Sequence, residues 1–100
     1  MLRNPLAYEG EWGFAIQINT DFDATGYTPT FMFQKPHGTR ESVTAAAVTT
    51  LADGDFDWTV TDGFLTQGRW TVQAVLTAGS SVLKSPIIPF TIGPPNSATP

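Results

Sequence analysis

The chain has 100 residues and a mass of 10.8 kDa, the size of one small domain and too short for a catalytic domain joined to a binding domain. Hydrophobic residues make up 41% and charged residues 14%, against roughly 25% charged in an average globular domain, which is the composition of a chain that builds a core. The lack of cysteine excludes disulfides, thiol catalysis and thiolate zinc sites, and a net charge of -4 sets the molecule against nucleic-acid backbones and anionic membranes.

In chain order, residues 1–7 show no periodicity. Arg3, Asn4, Pro5, Tyr8 and Glu9 stand where a signal peptide would carry its apolar stretch, so synthesis in a cytoplasm is expected, with release only by lysis. Phe14, Ile16 and Ile18 then alternate with Ala15, Gln17 and Asn19, the period of a strand with one buried face. Turn residues Asp23 and Gly26 follow, then a strand over residues 28–35 with Phe31 and Phe33 on one side and Met32 on the other. Pro36, His37, Gly38 and Thr39 make the next turn. Residues 42–51 contain alanines that favour a helix, but Val43, Thr44, Val48 and Thr49 are β-branched and fit a pleated surface better, so one or two extended segments are expected.

Asp53-Gly54 precedes a further alternation of Phe56, Trp58 and Val60 with Asp55, Asp57, Thr59 and Thr61. After turn signals at Asp62-Gly63 and Gln67-Gly68, the sides carrying Trp70, Val72, Ala74 and Leu76 mark another half-buried strand. The four residues 78–81 are short enough to join it in an antiparallel hairpin to residues 82–92. Pro86 and Pro89 lack the N–H a ladder needs, so this last segment is an edge strand or is broken by a bulge. Residues 94–100 have the composition of an extended tail.

About seven short strands in this length predict an all-β fold, an immunoglobulin-like antiparallel β-sandwich over residues 8–93, with an N-terminal arm of residues 1–7 and the tail behind it. The expected core comprises Phe14, Ile16, Ile18, Phe31, Phe33, Trp58, Trp70, Val72 and Phe90.

Three stretches carry a resemblance. Glu9-Gly10 opens before Phe14-Ala15-Ile16-Gln17-Ile18-Asn19. Asp23-Ala24-Thr25-Gly26-Tyr27 precedes a strand ending in Lys35-Pro36-His37-Gly38-Thr39, and Gly68-Arg69-Trp70-Thr71-Val72-Gln73-Ala74 follows later. In this order, over roughly residues 8–92, they resemble the small immunoglobulin-like domains of tailed-phage virions, such as the N-terminal domain of siphophage baseplate upper proteins. That family usually has aspartate where His37 stands. The resemblance implies a non-enzymatic virion protein, an adaptor or connector in the tail, baseplate or head-tail region, present in symmetric multiple copies beside other virion structural proteins. Capsid decoration is the nearest alternative. Candidate subunit contacts are Met1, Leu2, Arg3, Trp12, Pro94, Pro95 and Pro100, at and near the two ends.

The residues themselves offer no chemistry. Asp53, Asp55 and Asp57 alternate as calcium ligands do, but an EF-hand would need glycine where Trp58 stands and glutamate where Phe64 stands, so they read as a solvated turn and strand face. His37 is the only histidine and has no Gly-x-Ser-x-Gly partner, and no pair of acids has an apolar setting that would raise one pKa. No cofactor or metal is expected. Trp12, Trp58 and Trp70 together would suit a sugar-stacking face, the alternative of a carbohydrate-binding adhesin module. Trp58 and Trp70 share the apolar phase of their strands, which assigns them to the core and leaves Trp12 for contacts.

Overall fold

The computed structural model describes residues 5–94, which form two β-sheets packed face to face. The larger sheet runs in the order β1 (Ala7–Tyr8), β9 (Ile88–Gly93), β7 (Gly68–Ala78), β3 (Thr28–Gln34) and β4 (Arg40–Thr44), with β8 (Ser81–Lys84) also paired to β7. The smaller runs β2 (Ala15–Asn19), β6 (Asp55–Thr59) and β5 (Ala46–Ala47), and a 3-10 turn occupies Leu51–Asp53. The chain changes sheet between β1 and β2, β2 and β3, β4 and β5, and β6 and β7, the Greek-key path expected of an immunoglobulin-like sandwich. Nine strands replace the expected seven because β1 is a two-residue pairing too short to show a period, and because the last segment is split in two.

β1 lies parallel to β9, with Ala7 opposite Ile92 and Tyr8 opposite Gly93, so the sandwich is not wholly antiparallel. Leu6 N–H donates to Thr91 O at 2.9 Å, and Ala7 is buried. The described part of the expected arm, residues 5–7, is thus joined to the sandwich. Backbone hydrogen bonds and the packing of Leu6 and Ala7 on the core hold it, and so short a segment shows no side-chain period to read.

The alternating residues meet between the sheets. Ile16 and Ile18 of β2 and Phe56 of β6 face Phe31 and Phe33 of β3 and Trp70, Val72, Ala74 and Leu76 of β7, all buried, with Phe90 and Ile92 from β9. Phe14 and Trp58, expected in the core, are partly buried and pack against it from its margin. Phe64 and Leu65 are fully enclosed although they belong to the connection before β7, where no periodicity announced them. Trp70 is 1% exposed, and its indole N–H donates to Thr66 O at 2.8 Å, so a polar ring atom enters the core with its partner.

The hairpin from β7 is broken by a bulge as expected, but around Pro86 rather than between Pro86 and Pro89, and β9 is not an edge because β1 pairs with it. Val75 pairs with Lys84 and Val72 with Ile88, so Ser85, Pro86 and Ile87 oppose only Gln73 and Ala74, a bulge of one residue. Ser85 is buried and closes the ladder there: its N–H donates to Ala74 O, its Oγ accepts from Ala74 N–H at 2.9 Å, and its carbonyl accepts from Gln73 Nε2 at 2.8 Å. Its hydroxyl donates to Pro86 O at 3.0 Å.

Two motifs far apart in the chain meet. Lys35 to Thr39 forms a three-residue hairpin loop, in which Gly38 N–H donates to Lys35 O and Lys35 N–H to Thr39 O, with Gly38 in the left-handed region at φ 86°. Pro36 in that loop lies against Gly68, where a Cβ would stand 2.6 Å from the proline Cγ. Glycine is therefore required two residues before Trp70 by the turn that precedes β4.

Two outcomes test this account. Trp70→Ala lowers stability by about 3–5 kcal/mol, most of the ~5–15 kcal/mol available to a domain, as read by chemical denaturation; a melting temperature within a degree or two of the parent would contradict it. Ser85→Ala strands the buried Ala74 N–H and costs about 1–3 kcal/mol, with amide exchange at Ala74 accelerating more than at its neighbours in β7.

Candidate functional site

Of the large apolar side chains left exposed, Tyr8, Trp12, Val48, Val82 and Ile87, the bulkiest is Trp12, 59% exposed. Its position follows from the crossover between β1 and β2. Glu9 N–H donates to Gly93 O at 3.0 Å and extends the parallel ladder; Glu11 N–H then donates to Tyr8 O, closing a turn with Gly10 at φ 96°. Gly13 N–H donates to Val60 O and starts the pairing with the smaller sheet. Both glutamates turn back on the backbone: Glu11 Oε1 accepts from Tyr8 N–H and Glu9 Oε1 from Gln67 N–H, each at 2.8 Å. With its neighbours clamped, Trp12 projects.

Beneath it an open groove is lined by Leu6, Ala7, Gly10, Glu11, Trp12 and Phe14. The groove spans the outer strand of each sheet, β1 and the entry to β2. Tyr8, 39% exposed, packs its ring on Gly93. Because Glu9 bonds to Gly93, Pro94 leaves the domain at the same end as Trp12, and it is exposed there. Of the expected contacts, Trp12 and Pro94 are therefore brought to one end. Met1, Leu2, Arg3, Pro95 and Pro100 lie outside the described residues. The glutamate clamps had no sequence signal beyond the spacing of Glu11 three residues after Tyr8.

The other groups singled out in the sequence are scattered. His37 is exposed at the tip of its hairpin loop. Asp53 sits in the 3-10 turn, its carboxylate accepting from the Thr49 hydroxyl, whereas Asp55 and Asp57 stand in β6 opposite Asn19 and Gln17. Among the described residues no three or more His, Asp or Glu side chains gather as metal ligands. Asp23 accepts from the Thr25 hydroxyl and N–H, which holds its carboxyl below the ordinary aspartate value. That turn is thus held in full at neutral pH and loses this support as acid protonates Asp23. Lys35 lies with Nζ 5.3 Å from the centre of the Phe64 ring and 2.7 Å from Glu41, covering the core rather than presenting a free charge. Trp12, Trp58 and Trp70 do not share a face: the first is exposed, the second partly buried and the third enclosed.

Among the described residues no helix is long and apolar enough to cross a membrane. No protein-family model matches the chain, and neither a curated protein nor a solved structure matches it.

The spread of Asp53, Asp55 and Asp57 gives a direct test. Millimolar calcium leaves the melting temperature unchanged, because these three carboxylates are not arranged as a closed oxygen cage; a rise of several degrees that a chelator reverses would show a site.

Proposed function

We propose that this protein is a non-enzymatic structural component of a tailed-phage virion, an adaptor or connector that works through subunit contacts in symmetric multiple copies. The observation that carries the reading is Trp12. A large aromatic side chain held outside the core by two backbone clamps, beside an open groove and at the end where Pro94 departs, is suited to burial against a neighbour. The stretches that resemble virion immunoglobulin-like domains supply the class of neighbour: other virion proteins in the tail, baseplate or head-tail region, or a capsid lattice if the protein decorates the head. Their most recognisable part, Gly68-Arg69-Trp70, packs at Gly68 on Pro36 of the Lys35-Pro36-His37-Gly38-Thr39 turn, and both serve the fold. Function in this reading is therefore left to the exposed end.

Trp12 also suits a sugar ring, which favours the adhesin module as the second reading. Mass spectrometry of purified particles separates them: the chain is expected in multiple copies per particle, and its absence from intact particles would overturn the virion reading. Trp12→Ala is expected to change stability by no more than about 0.5 kcal/mol while reducing incorporation several-fold. Glycan-array binding that disappears in the same variant, with normal incorporation, would support the adhesin instead.

A further inference from the structure

The two sheets end in strands that differ in how their free edges are protected. β4 carries Arg40 and Glu41; β8 carries Lys84 and leads into a bulge with Pro86, followed by Pro89; β1 and β5 are two residues long. Each is a recognised way of discouraging further strand addition. β2 has none of them. Ala15-Ile16-Gln17-Ile18-Asn19 is five residues of extended chain with no charge, no proline and no bulge, paired to β6 and, among the described residues, to no strand on its other side.

The phase of its hydrogen bonds is also defined. Val60 N–H donates to Phe14 O, and Thr20 N–H to Gly54 O, in the register that sets Ile16 opposite Trp58 and Ile18 opposite Phe56. Even-numbered residues therefore direct their backbone groups to β6. By the alternation of an antiparallel ladder, Ala15, Gln17 and Asn19 direct theirs outward. Their side chains are exposed on the outer face, while Ile16 and Ile18 point into the sandwich.

We propose that β2 is the interface for a second copy of this chain, paired antiparallel to its own counterpart with Gln17 opposite Gln17 on the two-fold axis. In that register Ala15 faces Asn19 of the other copy, so all three outward-facing residues of each strand find a partner, and Ile16 faces Ile18 on the core side. No other register satisfies every outward group, which makes the edge self-complementary in the sense a two-fold contact demands. Charge permits the approach although each copy carries -4. The acids of the neighbouring strand, Asp55 and Asp57 on β6, lie three strand spacings from their counterparts, ~14 Å and beyond the screening length at physiological salt, and Asp21 past the end of β2 stands where the chain turns out of the strand at φ 61°. The groove beside Leu6 and Phe14 opens on the same flank, so the pairing also shelters the open side of the sandwich. This proposal is independent of the virion reading and of Trp12.

Sedimentation of the full chain tests it. A concentration-dependent dimer is expected, weakened about tenfold or more by Gln17→Lys, which sets two like charges face to face at an exposed position that the fold does not use. Register is read by cysteine, since the chain has none. Gln17→Cys places two thiols across a hydrogen-bonded pair, Cα atoms about 5.5 Å apart, within disulfide range. Ala15→Cys alone places them ~14 Å apart and crosslinks only when mixed with Asn19→Cys. A monomer up to ~1 mM, a dimer indifferent to Gln17→Lys, or Gln17→Cys crosslinking no faster than Ala15→Cys each overturns the proposal. A monomer whose Gln17 amide resists hydrogen exchange would show that edge already covered, and overturns it too.

Discussion

Phe33 is the contact on which the two sheets depend. It belongs to β3 of the larger sheet, yet its ring meets Trp58 of the smaller sheet at 5.6 Å and Phe64 of the connecting segment at 5.1 Å, both tilted or edge-on. Phe31, Trp70 and Phe90 surround it within its own sheet at 6.1–6.4 Å between centroids. Aromatic rings supply large buried area with defined orientation. Removing this one would detach β3 from the chain of rings that runs from Trp58 through Phe64 and Trp70 to Phe90. Trp70 and Phe90, opposed across β7 and β9, stack at 5.8 Å and close the same cluster from below.

A core of this kind constrains the chain's polar groups as well. The bulge before β9 enters the buried zone, where the Ala74 N–H would have lost its partner, and the Ser85 hydroxyl replaces it. Thr20 acts similarly at the other end of β2. Its hydroxyl donates to Gly54 O at 2.9 Å and accepts from Phe22 N–H, so the segment leaving the sheet stays bonded while buried. Among the described residues no buried side-chain polar atom lacks a hydrogen-bond partner. Irregular backbone is thereby fixed to the sandwich.

With the interior satisfied, what remains for recognition is the flank between β1 and β2. There the chain crosses from one sheet to the other, and the crossing leaves side by side a groove, an exposed tryptophan and a strand edge that no described residue pairs. The glutamates that clamp the crossing spend their charge on backbone N–H groups, so the flank offers an aromatic ring and backbone hydrogen bonds as its main means of contact. Such a surface favours binding by shape and strand addition over attraction of distant charges.

The strands with a two-residue period were legible in the sequence because alternation reports one buried face directly. Ile16 and Ile18, Phe31 and Phe33, Trp70 and Val72 are buried as their phase required, and the glycine turns fall where the strands end. The hairpin and its proline break were also legible, since a missing N–H is a local property of Pro86 and Pro89. Other features needed the fold. Phe64 and Leu65 lie in a connection without period, and their burial depends on which rings the far strands bring over them. β1 is held by a parallel neighbour more than eighty residues away, and Gly68 is required by Pro36 across the sheet, so neither requirement is visible locally. Trp12 is exposed on a crossing whose flanking Glu9 and Glu11 bond back to the backbone, and β2 keeps an edge that no described residue pairs because β1 joins the other sheet. Sequence determined which faces are apolar, because burial of side chains is written residue by residue. Tertiary structure alone decided which edges and which aromatic ring remain uncovered, because that depends on where distant segments pair.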